Sequence, residues 1–274
     1  MQLASLRKPA IAAVAITLVT TMLAQAWNDQ DNGALDVIYL PTPHAVVKRM
    51  LELAKVGPDD IHYDLGSGDG RLVIAAVKDF GAKKGVGIDL DSERIKEANE
   101  NLAKAGVGSR VTFQRRNIFE TDFSEANVIS LYLLTNLNMK LRPVILNMKP
   151  GTRVVTQSFG MEDWKPDHFE VVPHSEGGFS NTRDVYLYIV PARVAGRWTM
   201  DQGERHITLE IEQKFQFLAG KAAFDGVNAE IKDGRLNGAT IRFTVEVDGK
   251  PMKYEGKVEG NKITGNGWTA KRAS

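Results

Sequence analysis

An acid followed by three glycines at alternate positions, Asp64, Gly66, Gly68 and Gly70 in the run DLGSGDG, stands ahead of a second acid, Asp89, in the run GVGID. Such a set can hold a small ligand by its backbone and by two carboxylates. Glycines remove side chains where the chain must turn tightly, take positive φ or touch a ligand, and the free N–H groups opening the next helix face the same place. Asp64 can attract an ammonium group through a charge-assisted bond or a bridging water. Asp89 can accept both hydroxyls of a ribose. Together they fit a nucleoside carrying an amino-acid tail, and that chemistry points to S-adenosylmethionine. A dinucleotide fingerprint GxGxxG would place its third glycine one position later, where Arg71 stands, and its ribose acid about 20 residues on, nearer than Asp89. A plain strand-to-helix turn would use the glycines but neither acid.

Periodicity shows the elements that must position these residues. Residues 60–65 read as a strand and 71–80 as a helix with an apolar stripe, which puts the glycines at a strand-to-helix turn. A second strand, 85–88, ends at Asp89. Residues 37–43 form an extended lead-in, because Pro41 and Pro43 fix φ and keep the preceding residues out of helix. Helices are expected over 44–55 and over 92–105, the latter opening on Ser92 and Glu93. After a strand at 111–115, the near-continuous apolar run 127–134 reads as a central parallel strand buried on both faces. A helix over 139–148, a strand over 152–159 and a hairpin of 169–173 with 184–190 complete the pattern. The expected fold over 36–190 is α/β, a doubly wound, Rossmann-like, mostly parallel sheet with an antiparallel terminal hairpin.

From 191 to 274 the pattern changes to alternating stretches separated by turns at Asp233-Gly234, Asp248-Gly249 and Gly260-Asn261, which predicts a small antiparallel β domain. Its role is open between a stabilising or docking module and a substrate-presenting one with Trp198, Phe215, Phe217 and Trp268 lining a cleft. Aromatic side chains in a small β domain are more often core.

The 274 residues are 43% hydrophobic and 25% charged, enough for two globular domains. A net charge of +1 speaks against broad nucleic-acid binding, and no nucleic-acid partner is expected. The chain has no cysteine, which excludes disulfides, thiolate metal sites and a thiolate nucleophile. Its five histidines form no HxxxH or HxH pair, and no metal is expected. Arg7 and Lys8 precede an apolar stretch, 9–23, and Ala24-Gln25-Ala26 has the form of a signal-peptidase site. Residues 1–26 therefore read as a signal peptide or membrane anchor, giving a periplasmic or membrane-associated protein; a start placed upstream of a cytoplasmic enzyme is the alternative.

The DLGSGDG run with Arg71, Asp89, Asn117-Ile118 and the SLYLL segment at 130–134 resembles the seven-β-strand S-adenosylmethionine-dependent methyltransferases. The YLPTP segment at 39–43, the DLGSGDGR form and MKPGTRVV at 148–155 make it most similar to protein-lysine methyltransferases. The nearer branch is the mitochondrial type acting on the ATP synthase c subunit and the adenine nucleotide translocase; a more distant one acts on nucleosomal histone. The resemblance covers 37–190. It implies that Asp64, Gly66, Ser67, Gly68 and Gly70 hold the methionine part and Asp89 the ribose. Asn117, with Ile118 against the ring, would flank the adenine, and Tyr39 and Thr42 would close over the cofactor. Two departures stand out. Asn117 occupies a position where the family often has an acid, and Ser130-Leu131-Tyr132 replaces the Asn-Phe segment that lies beside the acceptor lysine in the nucleosomal enzyme.

Tyr132 is the candidate catalytic residue, since its ring can face a cation and its hydroxyl can bond an amine; a core tyrosine at a strand end would look the same. The implied activity is in-line methyl transfer to a lysine amine of a protein partner. A small-molecule methyltransferase, with loops around 160–167 enclosing its pocket and Trp164 as lid or packed residue, and a non-catalytic S-adenosylmethionine-binding module are the alternatives.

Overall fold

A computed structural model describes residues 39–176, 180–224, 227–247 and 249–273; the export or anchor segment 1–26, Val37 and Asp248 lie outside the described residues. The chain turns helical directly after Pro43, in α1 (His44–Leu53), whose Val46, Val47, Met50 and Leu51 form one buried stripe. β1 (Ile61–Leu65), α2 (Arg71–Lys78), β2 (Lys84–Asp89), α3 (Ser92–Ala105) and β3 (Val111–Arg115) alternate as expected. α3 is capped at both ends: the Asp91 side chain accepts the Glu93 N–H, and Gly106 takes φ +70°. β4 (Val128–Leu131), α4 (Thr135–Ile145) and β5 (Arg153–Gln157) follow, then β6 (His168–Pro173) and β7 (Thr182–Ile189).

These strands form a seven-stranded sheet in the order β3-β2-β1-β4-β5-β7-β6, parallel except for β7, which runs antiparallel to both neighbours. α1, α2 and α3 share one apolar cluster with Phe113, Val128, Val155, Val172 and Val185. In-register partners in a parallel sheet share a face, so His62 and Asp64, paired with Val128 and Ser130, lie on that helix-covered side.

Two expectations are corrected here. The fourth helix runs Thr135–Ile145 rather than 139–148, because its buried stripe begins at Leu137 and continues through Asn138, Leu141 and Ile145. Pro143 is inside it, near the end, where the single N–H it lacks costs little structure. The apolar run 127–134 is a strand only to Leu131; residues 132–134 leave the sheet and lead into α4.

β8 (Gly196–Gln202), β9 (Arg205–Lys214), β10 (Phe217–Phe224), β11 (Val227–Asn237), β12 (Thr240–Val247), β13 (Lys250–Glu259), β14 (Lys262–Gly265) and β15 (Trp268–Arg272) close into an eight-stranded antiparallel barrel. Each strand pairs with its sequence neighbours and β15 closes on β8, so no edge is left exposed. In β9, Ile207, Leu209 and Ile211 point inward while Thr208, Glu210 and Glu212 are exposed. The interior is packed around Trp198, Phe243, Tyr254 and Trp268. Gly256 and Gly265 make room for the Trp268 ring: a Cβ on Gly265 would lie 2.0 Å from its Nε1.

Asp233-Gly234 is not a turn. It is a bulge inside β11, where pairing with β12 shifts register between Lys232 and Arg235 and Asp233 takes φ +52°. The same residue types serve both structures, and the turn itself falls at Gly238-Ala239. The aromatic cleft is also corrected: Trp198 and Trp268 belong to the barrel core, and Phe215 stacks on Trp164 outside it. By contacts, the described residues form a single unit.

Candidate active site

The glycine turn joins β1 to α2 at the carboxyl edge of the sheet, where open α/β sheets bind ligands. Gly66 N and Ser67 N donate to Ile88 O at 2.8 and 2.9 Å, and Gly68 N donates to Asp89 Oδ2 at 2.8 Å, so the turn is tied to the end of β2. Gly66, Gly68 and Gly70 all have positive φ. A Cβ on Gly68 would lie 2.4 Å from the Tyr39 ring, so this position requires glycine on two counts. The Asp89 carboxylate also accepts the Asp91 N–H at 2.9 Å and is half-buried, leaving acceptor capacity on the site side.

Tyr39 and Thr42 belong to an extended strap over this turn. The Arg71 guanidinium grips Asp69 with Nε and Nη2 and donates Nη1 to Thr42 O at 2.8 Å. Burial pushes the Asp69 carboxyl up, but the Arg71 guanidinium outweighs it and holds the group below its ordinary value. The Arg94 guanidinium lies 4.7 Å from the Tyr39 ring centroid. Arg71, which in sequence stood where a dinucleotide fingerprint has glycine and closed the DLGSGDGR run without an assigned role, is thus the clamp of the strap.

Asp64 is 2% exposed. Ser130 Oγ donates to its Oδ1 at 2.6 Å, and His62 Nε2 lies 2.9 Å from the same Ser130 Oγ. With the serine proton on Asp64, His62 Nε2 is the donor to Ser130. Burial holds His62 neutral, lowering its pKa to about 4. Burial likewise pushes the Asp64 carboxyl up to about 8; the Ser130 bond pulls it back in part, and the nearby Asp89 and Asp69 charges add to the rise. A cation brought to Asp64 would relieve that penalty. Ser67 Oγ is also buried and has no hydrogen-bond partner among the described residues.

Asn117 and Ile118 follow β3 at the same edge and are half-buried. The Asn117 amide is engaged within its own loop: Oδ1 accepts the Phe119 N–H at 3.0 Å and Nδ2 donates to Glu120 Oε1 at 3.1 Å. The structure therefore makes it a turn former before anything else. Tyr132, just past β4, is half-buried, with its ring 6.4 Å from that of Phe159 and 22° from parallel. Asn138 Nδ2 holds the Phe159 carbonyl at 3.1 Å, and Thr156 Oγ1 donates to it at 2.7 Å. Trp164 is fully buried and is a packed residue, not a lid. Sequence reading missed Ser130, His62, Asn138 and Phe159 as parts of the site. Their positions gave no local signal beyond the SLYLL run.

The orphaned Ser67 hydroxyl, the buried carboxylate in need of a cation and the glycine cradle all fit an adenosyl compound with an amino-acid tail. Residues 64–168 match the ANTKMT methyltransferase domain. A protein-lysine N-methyltransferase of Saccharolobus islandicus is 50% identical over 155 residues, which cover 56% of this chain and 94% of the relative. The chain belongs to this family of S-adenosylmethionine-dependent methyltransferases. A crystal structure of an RNA methyltransferase from Salinibacter ruber in complex with S-adenosyl-L-homocysteine is 46% identical, covers 57% of this chain and 96% of that one, and superimposes with a TM-score of 0.51. The mouse adenine nucleotide translocase lysine N-methyltransferase is 28% identical over 133 residues, and the methyltransferase spans 57% of its length. The cofactor of the methyltransferase is S-adenosylmethionine.

Proposed function

We propose that the methyltransferase transfers its methyl group to the side-chain amine of a protein lysine. The observation that carries the reading is the aromatic pair Tyr132–Phe159 at the carboxyl edge, beside the paired strands β4 and β1 that bear Ser130 and Asp64. The names of the Saccharolobus and mouse relatives support a lysine acceptor. When bound, S-adenosylmethionine supplies an electrophilic methyl on a sulfonium, so the residues of this chain have to align the acceptor and exclude water. In this reading Asp64, Ser67 and the glycine turn hold the amino-acid tail, Asp89 the ribose and Ile118 the adenine, with Tyr39 and Thr42 as the cover. A lysine with a pKa of about 10.4 costs about 4 to 5 kcal/mol to deprotonate at pH 7. Desolvation between two rings offsets part of that cost, with no dedicated base.

Tyr132→Ala is expected to lower kcat/KM by roughly 5- to 30-fold, the equivalent of about 1 to 2 kcal/mol of cation–π and packing contact. Tyr132→Phe should retain most of the activity, and S-adenosylhomocysteine affinity should change in neither. Wild-type turnover in both variants would remove Tyr132 from the mechanism.

Transfer to RNA is the second reading, favoured by the Salinibacter relative. Incubating the full chain with labelled cofactor and either a host membrane extract or host RNA separates the two. Label located on lysine by mass spectrometry supports the first; label found only in nuclease-sensitive material overturns it. Export or anchoring through residues 1–26 completes the proposal, on the basic, apolar and small-x-small pattern. N-terminal sequencing of protein recovered from cells should begin after Ala26 or show a membrane-bound intact chain. An intact chain in the cytosolic fraction would reverse it.

A further inference from the structure

β9 and β10 are joined by a two-residue turn, Phe215-Gln216, between the paired Lys214 and Phe217. Turns of this length favour Asn, Asp and Gly, because positive φ crowds a bulky side chain. Phe215 nevertheless takes φ +54°. A local rule broken in this way needs compensation from elsewhere, and both residues find it in the loop that leaves β5. The Phe215 ring stacks on Trp164 at 5.8 Å and 18°, and the Arg142 guanidinium covers the same ring at 5.4 Å. Gln216, fully buried, accepts Trp164 Nε1–H at 3.0 Å and donates to Lys165 O at 2.7 Å. Trp164 packs on Tyr188 at 5.0 Å, and the Tyr188 hydroxyl accepts the Met161 N–H at 3.0 Å. Lys214 and Arg235 of the barrel add ion pairs to Asp163 and Asp167.

Phe159 is the second residue of the same loop. Residues 158–167 contain no helix or strand, and such a segment would ordinarily move. Here Asn138 and Thr156 fix one end and the barrel tip fixes the other. The wall captures and orients the acceptor amine, so a shift of about an ångström loosens its hold on the acceptor before the near-contact alignment of transfer is reached.

We propose that the β9–β10 tip of the barrel is a positioning element of the acceptor site, in which Phe215 and Gln216 lock Trp164 and thereby hold Phe159 against Tyr132. This rests on the reading of the Tyr132–Phe159 pair as the acceptor wall. It gives the barrel a task in the reaction: it braces the loop from outside the sheet.

The test uses the full chain carrying Phe215→Asn with Gln216→Gly, which supplies preferred turn residues and so should leave the barrel folded. Backbone hydrogen exchange, S-adenosylhomocysteine titration and steady-state transfer to poly-L-lysine are measured. Protection across 158–167 should fall at least tenfold while that of β8–β15 holds. KM for polylysine should rise about tenfold with kcat changed less, and S-adenosylhomocysteine affinity should stay within twofold. Phe215→Tyr, which keeps the stacked ring, should behave as wild type. Unchanged protection and KM would overturn the proposal, as would an equal loss of S-adenosylhomocysteine binding. If the wild type leaves polylysine unmethylated, the lysine reading falls, and the brace stands or falls on the exchange result alone.

Discussion

Replacing Asp64 with Asn is expected to weaken S-adenosylmethionine binding about 100-fold, the equivalent of roughly 2 to 3 kcal/mol for a charge-assisted bond, while leaving the fold as stable as before or more so. The two effects separate because of where the carboxyl sits. Burial pushes its pKa to about 8 in the free protein, whereas the unfolded chain ionises near its ordinary value. Between those two values the folded state keeps a proton that the unfolded state has lost. Wild-type stability is therefore fullest at the acid end of this window and declines as pH rises through it. Asn has no proton to lose, so its melting temperature should not share that decline, and at pH 8 it should equal or exceed wild type. Cofactor binding runs the other way, because an ammonium favours the ionised carboxylate. Wild-type affinity should tighten as pH rises towards 8 and then level off, with proton uptake by the buffer on binding; Asp64→Asn should show neither. Calorimetry from pH 6 to 9 in two buffers of different ionisation heat checks both. A variant Kd within threefold of wild type would remove Asp64 from the cofactor site, and a flat wild-type profile would show that its carboxyl is already ionised in the free protein.

Asp89→Ala is expected to cost at least as much, and with a different signature. One carboxylate here holds the Gly68 and Asp91 N–H groups and, in the proposed reading, the ribose. Its loss removes a charge-assisted acceptor worth roughly 2 to 3 kcal/mol, or about 30- to 150-fold in Kd, before any loosening of the glycine turn. Adenosine distinguishes the two acids, since it carries the ribose without the amino-acid tail. Asp64→Asn should leave adenosine affinity unchanged, and Asp89→Ala should weaken adenosine and S-adenosylhomocysteine alike. Equal responses of both ligands to both variants would mean that the two acids do not grip opposite ends of one molecule.

Much of this site was legible because its parts lie close together in sequence. The acids and glycines of 64–70 and the acid closing β2 are bound to a strand-to-helix turn and a strand end, and those local structures follow from periodicity and proline placement. What escaped reading meets across the sheet. Ser130 reaches Asp64 from a strand 66 positions away, and nothing in SLYLL marks its hydroxyl as the donor. Asn117 was legible as a position but not as a state, since its amide is taken up by its own loop. Trp164 could be lid or packing on sequence alone, and a glutamine 52 positions later decided for packing. The fourth helix was misplaced because apolar residues continue past its real end at Ile145, and only contact with the sheet shows which of them are buried.

Residue order alone determined the cofactor turn, the alternation of strands and helices up to β7, and the inward-facing periodicity of the β segments after it. These depend on backbone sterics and on repeats within a few residues. Only the tertiary structure decided that the β segments close into a barrel, that the tip of that barrel seats on the loop carrying Phe159, and that burial pushes the Asp64 carboxyl up. Closure, docking and desolvation depend on which distant surfaces exclude water from one another, and that is a property of the assembled fold rather than of any short stretch of chain.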